Sequence, residues 1–208
     1  MCNKISRSLY AIRTAKNFLT GTALKSLYFA LVHSLIIYGL HIWGGSANKY
    51  VNEVVILQKK AIRIICDAKY NAHTEPLFKS QKILPFNDLF SFFKLLFMYD
   101  YINNLLPSSF SNVWPSNEAR RLHHPAAGQN VNLRNDSLLS IPFIRLQSHM
   151  NFPLAEFPRI WNDFHQVDIT STPSRPLFKK LLKEYFFSKL DENYKCTRLL
   201  CLSCNLQI

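Results

Sequence analysis

Ile5, Leu9, Ile12 and Leu19 recur at helical spacing along the opening of the chain. Thr20-Gly21-Thr22 then supplies both a stop and a fresh amino-terminal cap, which predicts two helices meeting there. The second should run from about Ala23 to Trp43 and end at Gly44-Gly45, with Ser46 or Asn48 available to cap a third reaching toward Cys66. Projected at about 100° per residue, that third helix places Val54, Val55, Leu57, Ala61, Ile62, Ile64 and Ile65 on one side. Lys59, Lys60 and Arg63 fall opposite, as an exposed stripe. After a His73-Thr74 turn, Pro76 opens a short helix through Ile83, and Pro85-Phe86-Asn87 caps a longer aromatic helix ending near Asn104. Residues 1–106 therefore read as a helical bundle.

From Leu106-Pro107 the character changes. Prolines, serines, asparagines and the run Arg120-Arg121-Leu122-His123-His124-Pro125 mark residues 107–130 as an irregular connector. Val131 to Arg134 and Ile141 to Leu146 alternate as short strands, which would close a hairpin over Asn135-Asp136. A final helix opens after Ser174-Arg175-Pro176, with Leu177, Phe178, Leu181, Leu182 and Tyr185 on one face and Lys179, Lys180 and Lys183 turned away. The expected fold class is mainly α: a bundle, then a smaller α+β region over 131–192 with its hairpin and C-terminal helix, then a cysteine-containing tail over 193–208.

Composition narrows the partners. Among 208 residues, 48% are hydrophobic and 18% charged, enough apolar side chain to bury a core. Lys and Arg number 25 against 13 Asp and Glu, a net charge of +12. Lys4, Arg7, Arg13, Lys16, Lys25 and Lys49 all precede Glu53, the first acid, so the amino-terminal quarter is purely cationic. Such a surplus favours a polyanion, and nucleic acid is the expected partner; the competing reading is charge that keeps an aromatic-rich chain soluble. The apolar stretch from Leu27 to Trp43 carries His33, Ser34 and His41, which suits a buried helix better than a bilayer span, so no membrane partner is expected. Cys2, Cys66, Cys196, Cys201 and Cys204 are an odd set without a secretory signal ahead of them, which fits a nuclear or cytoplasmic protein rather than a secreted one.

Catalytic patterns are missing from the sequence. Two-metal chemistry needs carboxylates converging on cations about 4 Å apart, whereas the acids here are scattered singly apart from Asp191-Glu192. Tyr99-Asp100-Tyr101 has one carboxylate and reads as a surface Asp between core aromatics. No glycine loop fits a phosphate cradle. Cys196, Cys201 and Cys204 have knuckle-like spacing but supply three thiolates where structural zinc takes four ligands; a fourth would have to come from Cys2, Cys66, a histidine or another chain, so zinc is the lesser expectation and no metal is assigned. Function should instead lie in cations on helices. Lys59, Lys60 and Arg63 form one stripe, Lys179, Lys180 and Lys183 a second, and Arg13 and Lys16 add charge on the first helix. Tyr50, Tyr70 and Trp43 interleave with them, although aromatics on such helices more often serve the core.

Several stretches resemble one family. Leu27-Tyr28-x-x-Leu31-Val32-His33, Tyr38-Gly39-x-x-Ile42-Trp43-Gly44 and Leu57-Gln58-Lys59-Lys60-Ala61-Ile62-Arg63-Ile64-Ile65 follow one another in register. His73-Thr74-x-Pro76-Leu77-Phe78, Ile160-Trp161-Asn162 and Phe178-Lys179-Lys180-x-Leu182-Lys183 continue the series. Together they are similar to the region after the palm in non-LTR (LINE-type, jockey-like) retrotransposon reverse transcriptases. The resemblance implies a thumb and post-thumb fragment of an RNA-directed DNA polymerase that helps hold primer–template, with RNA, DNA or a hybrid as ligand. The magnesium-dependent active site, with its Tyr-x-Asp-Asp motif, would belong to the fingers and palm of the parent polypeptide, so this chain alone is expected to be no enzyme and to need no cofactor. A second expectation is a relic or structural module that docks on the missing palm, which would expose a large apolar patch.

Overall fold

Two long amphipathic helices, Cys2–Ala15 and Asn48–Ile65, set the frame of the chain's first part. In the computed structural model, residues 1–116, 138–142, 145–146, 151–164 and 170–193 are described. The chain is mainly helical, as its periodicity predicts. Contacts divide it into two units: Met1–Phe90 with the described part of Lys183–Ile208, and the described part of Ser91–Leu182. The composition break at Leu106-Pro107 lies inside the second unit. No helix among the described residues is long and apolar enough to cross a membrane.

In the first unit, α1 (Cys2–Ala15) buries Ile5, Leu9 and Ile12 on one face. It packs against α2 (Gly21–Tyr28) and α5 (Asn48–Ile65). Leu19 falls beyond the last turn of α1 and is 41% exposed, so it does not extend the buried stripe. The predicted cap is real: the Thr20 hydroxyl accepts from the Ala23 N–H at 3.5 Å.

The helix expected to run unbroken to Trp43 is interrupted twice. A π turn spans Phe29–His33 before α3 (Ser34–Ile37), and Gly39, at φ +63°, separates α3 from α4 (Leu40–Trp43). Leu24, Tyr28, Val32, Ile36 and Leu40 are all buried, a strict four-residue spacing. An α-helix turns in about 3.6 residues, so that spacing would spiral off the buried side, and the wider π turn takes up part of the drift. At the second break the freed carbonyl of Tyr38 accepts from the Trp43 indole at 2.9 Å.

Helix α5 buries Val54, Ala61, Ile62 and Ile65, while Val55, Leu57 and Ile64 are half-buried. Its N-cap is Ala47 without a side-chain bond, so neither Ser46 nor Asn48 caps it. Gln58, on the apolar side, is buried with its amide donating to the Tyr28 hydroxyl at 3.1 Å and the Leu84 carbonyl at 3.0 Å. Helix α6 (Glu75–Ser80) has Pro76 in its first turn and stops short of Ile83. Helix α7 (Phe86–Ile102) follows, with the division between units at Phe90.

The second unit clusters Met98, Trp114 and Phe157, with Phe97, Tyr101, Val113, Leu139 and Trp161 around them. Phe157 and Trp161 come from α8 (Pro153–Asn162), a helix that periodicity does not reveal. Asn162 caps this cluster by pairing with the backbone of Leu139, its Oδ1 accepting at 3.1 Å and its Nδ2 donating at 2.9 Å. In α9 (Arg175–Asn193), Phe178 stacks on Tyr99 with ring centroids 4.2 Å apart. Leu177, placed on the apolar face by its spacing, is exposed.

Asp100 is not the surface residue its context suggested. It is 8% exposed and receives two N–H bonds from Arg175, at 2.6 and 2.9 Å. Val131 to Arg134, with the Asn135-Asp136 turn and part of Ile141 to Leu146, lies outside the described residues, as do Cys196, Cys201 and Cys204. Among the described residues, β pairing is limited to an isolated bridge between Ser116 and Leu139.

Candidate nucleic-acid interface

Arg13 and Lys16 lie three residues apart at the end of α1, and Lys60 and Arg63 three apart near the end of α5, so each pair shares a helix face. Because α1 packs on α5, the two pairs come together. They line one cleft of about 360 Å³, completed by Ile64, Ala68 and Tyr70. Four cations that the sequence places on separate helices thus face a common space. Lys60 and Arg63 are half-buried in its wall, and Lys59 beside them is half-buried too, so the stripe is recessed rather than fully exposed.

The end of α5 shapes the rim. Cys66 closes the helix, Asp67 turns left-handed at φ 51°, the Ala68 N–H bonds to the Arg63 carbonyl at 2.9 Å, and the Asp67 N–H bonds to that of Ile64 at 3.3 Å. This is a Schellman closure with an acid where glycine is usual. It presents the Asp67 carboxylate to Lys16, with which it forms an ion pair. Asp67 carried no signal in the sequence, since it is neither in a motif nor on a periodic face. Arg63 donates from Nε to the Ala72 carbonyl at 3.0 Å, using one of its five donors to hold the loop after α5.

Tyr70, on that loop, is 83% exposed and lines the cleft, whereas Trp43 is spent on the Tyr38 carbonyl. A second, smaller cleft of about 140 Å³ shares Arg63 and adds Lys59, Asn71, Ala72, His73, Thr74 and Glu75.

Lys179, Lys180 and Lys183 are exposed on α9, as their spacing predicts, and none of them lines either cleft. Lys183 sits 5.8 Å from the ring centre of Phe187. Burial, followed by the positive charge of Lys183, lowers the pKa of His33 and favours its neutral form. Burial raises the thiols of Cys2 and Cys66, which disfavours reactive thiolates near neutrality. Among the described residues, no group of three or more His, Cys, Asp and Glu side chains could hold a metal ion.

No protein-family model, curated protein or solved structure matches the chain.

Proposed function

We propose that this chain binds nucleic acid without sequence selectivity through the cleft between α1 and α5, as a thumb-side part of a LINE-type RNA-directed DNA polymerase whose palm performs the synthesis. The observation that carries the reading is the meeting of Arg13, Lys16, Lys60 and Arg63 in one cleft. Cations that served solubility alone gain nothing by converging, since like charges held close repel one another, whereas a phosphate backbone offsets that repulsion and releases counterions. The resemblance of the α2 to α5 stretch to the family's post-palm region supplies the larger context.

Duplex binding measured against salt concentration tests this. Replacing Arg13, Lys60 and Arg63 together by Ala should flatten the slope of log affinity against log salt by about two to three, because each phosphate contact contributes roughly 0.9. An unchanged slope would remove these residues from the interface.

A second reading has one observation in its favour. Phe29, Leu31, Tyr38 and Ile42 are all exposed, Tyr38 and Ile42 more than 80% so, in the stretch most like the family. Such a surface suits docking on another protein domain such as a polymerase palm and fingers. Substituting Tyr38 and Ile42 by Ser should then abolish association with a separately supplied palm while leaving nucleic-acid affinity intact.

A further inference from the structure

The walls of the α1–α5 cleft are of two kinds, and together they describe a ligand more narrowly than charge does. Arg13, Lys16, Lys60 and Arg63 offer N–H donors and positive charge, while Ile64, Ala68 and Tyr70 offer apolar and aromatic surface. A duplex can use the first kind but keeps its base faces stacked inside. An unpaired nucleotide presents both, a phosphate and a bare ring, within one residue. Tyr70 is 83% exposed, so its ring is not committed to the core. At about 360 Å³ the cleft stands at the small end of the range for organic ligands, which is room for the base and phosphate of one nucleotide.

The second cleft extends the argument from a nucleotide to a strand. Arg63 lines both clefts, so a chain leaving the first can meet Lys59, Asn71 and His73 in the second. The buried Nε2 of His73 has no hydrogen-bond partner among the described residues. Glu75 also lines this space and would oppose a phosphate placed against it, which sets the next phosphate toward Lys59 and Arg63.

Resting on the nucleic-acid reading above, we infer that this cleft holds an unpaired nucleotide of a single strand, its base stacked on Tyr70 and its phosphate between the cations of α1 and α5. The strand then continues past Arg63 toward Lys59. The ligand class is single-stranded nucleic acid, or the unpaired overhang of a duplex.

The test uses the full chain and fluorescence anisotropy with a labelled oligothymidylate and with its blunt duplex on oligoadenylate, both at one salt concentration. Tyr70→Ala should weaken the single strand by about tenfold and the duplex by less than about twofold, and Tyr70→Phe should restore the single-strand affinity. A companion variant, Lys60→Ala with Arg63→Ala, should weaken both ligands. If that companion weakens both while Tyr70→Ala changes neither, or changes both equally, the single-strand assignment is overturned and the nucleic-acid reading survives. If the companion changes neither, the nucleic-acid reading falls and the assignment goes with it. Tyr70 stands on the surface, so circular dichroism should show an unaltered fold in each Tyr70 variant.

Discussion

Tyr28 and Gln58, thirty positions apart in the chain, meet inside the first unit, the Gln58 amide donating to the Tyr28 hydroxyl at 3.1 Å. Burial pushes the Tyr28 phenol up to about 12 from its ordinary value of 10, with the Gln58 donor opposing the shift. A folded-state pKa above the unfolded one favours the protonated form, so this stability is complete below pH 10 and is lost as pH rises toward about 12. The loss should amount to roughly 2–3 kcal/mol. Tyr28→Phe should cost about 1 kcal/mol at neutral pH by removing the hydroxyl from Gln58, and should remove that part of the alkaline limb. Urea unfolding at neutral and alkaline pH compares the two chains; identical alkaline limbs would contradict the assignment.

Asp67 competes with any anion for Lys16. The pair is largely solvated and is worth no more than about 1 kcal/mol, so freeing Lys16 should have a modest effect. Asp67→Asn keeps a side chain that tolerates the left-handed conformation and should raise nucleic-acid affinity by about two- to fivefold at low salt, the gain fading as salt screens the cleft. Isothermal titration at two ionic strengths would show it. Weaker binding by a folded Asp67→Asn chain would contradict the competition.

Gly39 and Gly44 are called for by different physical reasons. At Gly44 an added Cβ would lie 2.6 Å from both the Phe90 ring and the Leu40 carbonyl oxygen, so Gly44→Ala should destabilise by about 1–3 kcal/mol through overpacking. At Gly39 the space is open, the nearest contact being Trp43 at 3.8 Å, but φ is +63°. Gly39→Ala should therefore cost about 1–2 kcal/mol through backbone strain, and Gly39→Asn less. Thermal melts of the three variants give the order, and an equal cost for Ala and Asn at 39 would dismiss the strain argument.

Arg175 compensates a buried carboxylate. Its bond to Asp100 raises the Arg175 pKa and keeps the guanidinium charged. Arg175→Leu leaves that carboxylate without its charge partner and should cost about 1–3 kcal/mol. Removing both, as Asp100→Leu with Arg175→Leu, should cost less than either single change, because no buried charge is then uncompensated. A double-mutant cycle with additive losses would argue against the coupling.

Local periodicity made most of the helices legible. The buried face of α1 and, apart from Leu177, that of α9 follow from short-range spacing, because a helix repeats its environment every few residues whatever lies opposite. Helix α8 is less legible because it carries two prolines, Pro158 inside it and Pro153 in its first turn, where a missing N–H costs nothing. Gln58 has no place in the apolar pattern of its helix for a related reason: a polar side chain enters a core when partners such as Tyr28 and the Leu84 carbonyl await it, and those partners come from other elements.

The sequence by itself determined helices with one apolar side, a cationic surplus weighted to the amino terminus, and the residues Arg13, Lys16, Lys60 and Arg63 as carriers of that charge. The tertiary structure decided which of these meet. It brought the α1 pair to the α5 pair, recessed Lys59, Lys60 and Arg63, set Asp67 against Lys16 fifty-one positions away, and left Tyr70 open to solvent. Helical spacing is a property of neighbours along the chain, while a cleft depends on how two buried faces pack, and no local pattern encodes that distance.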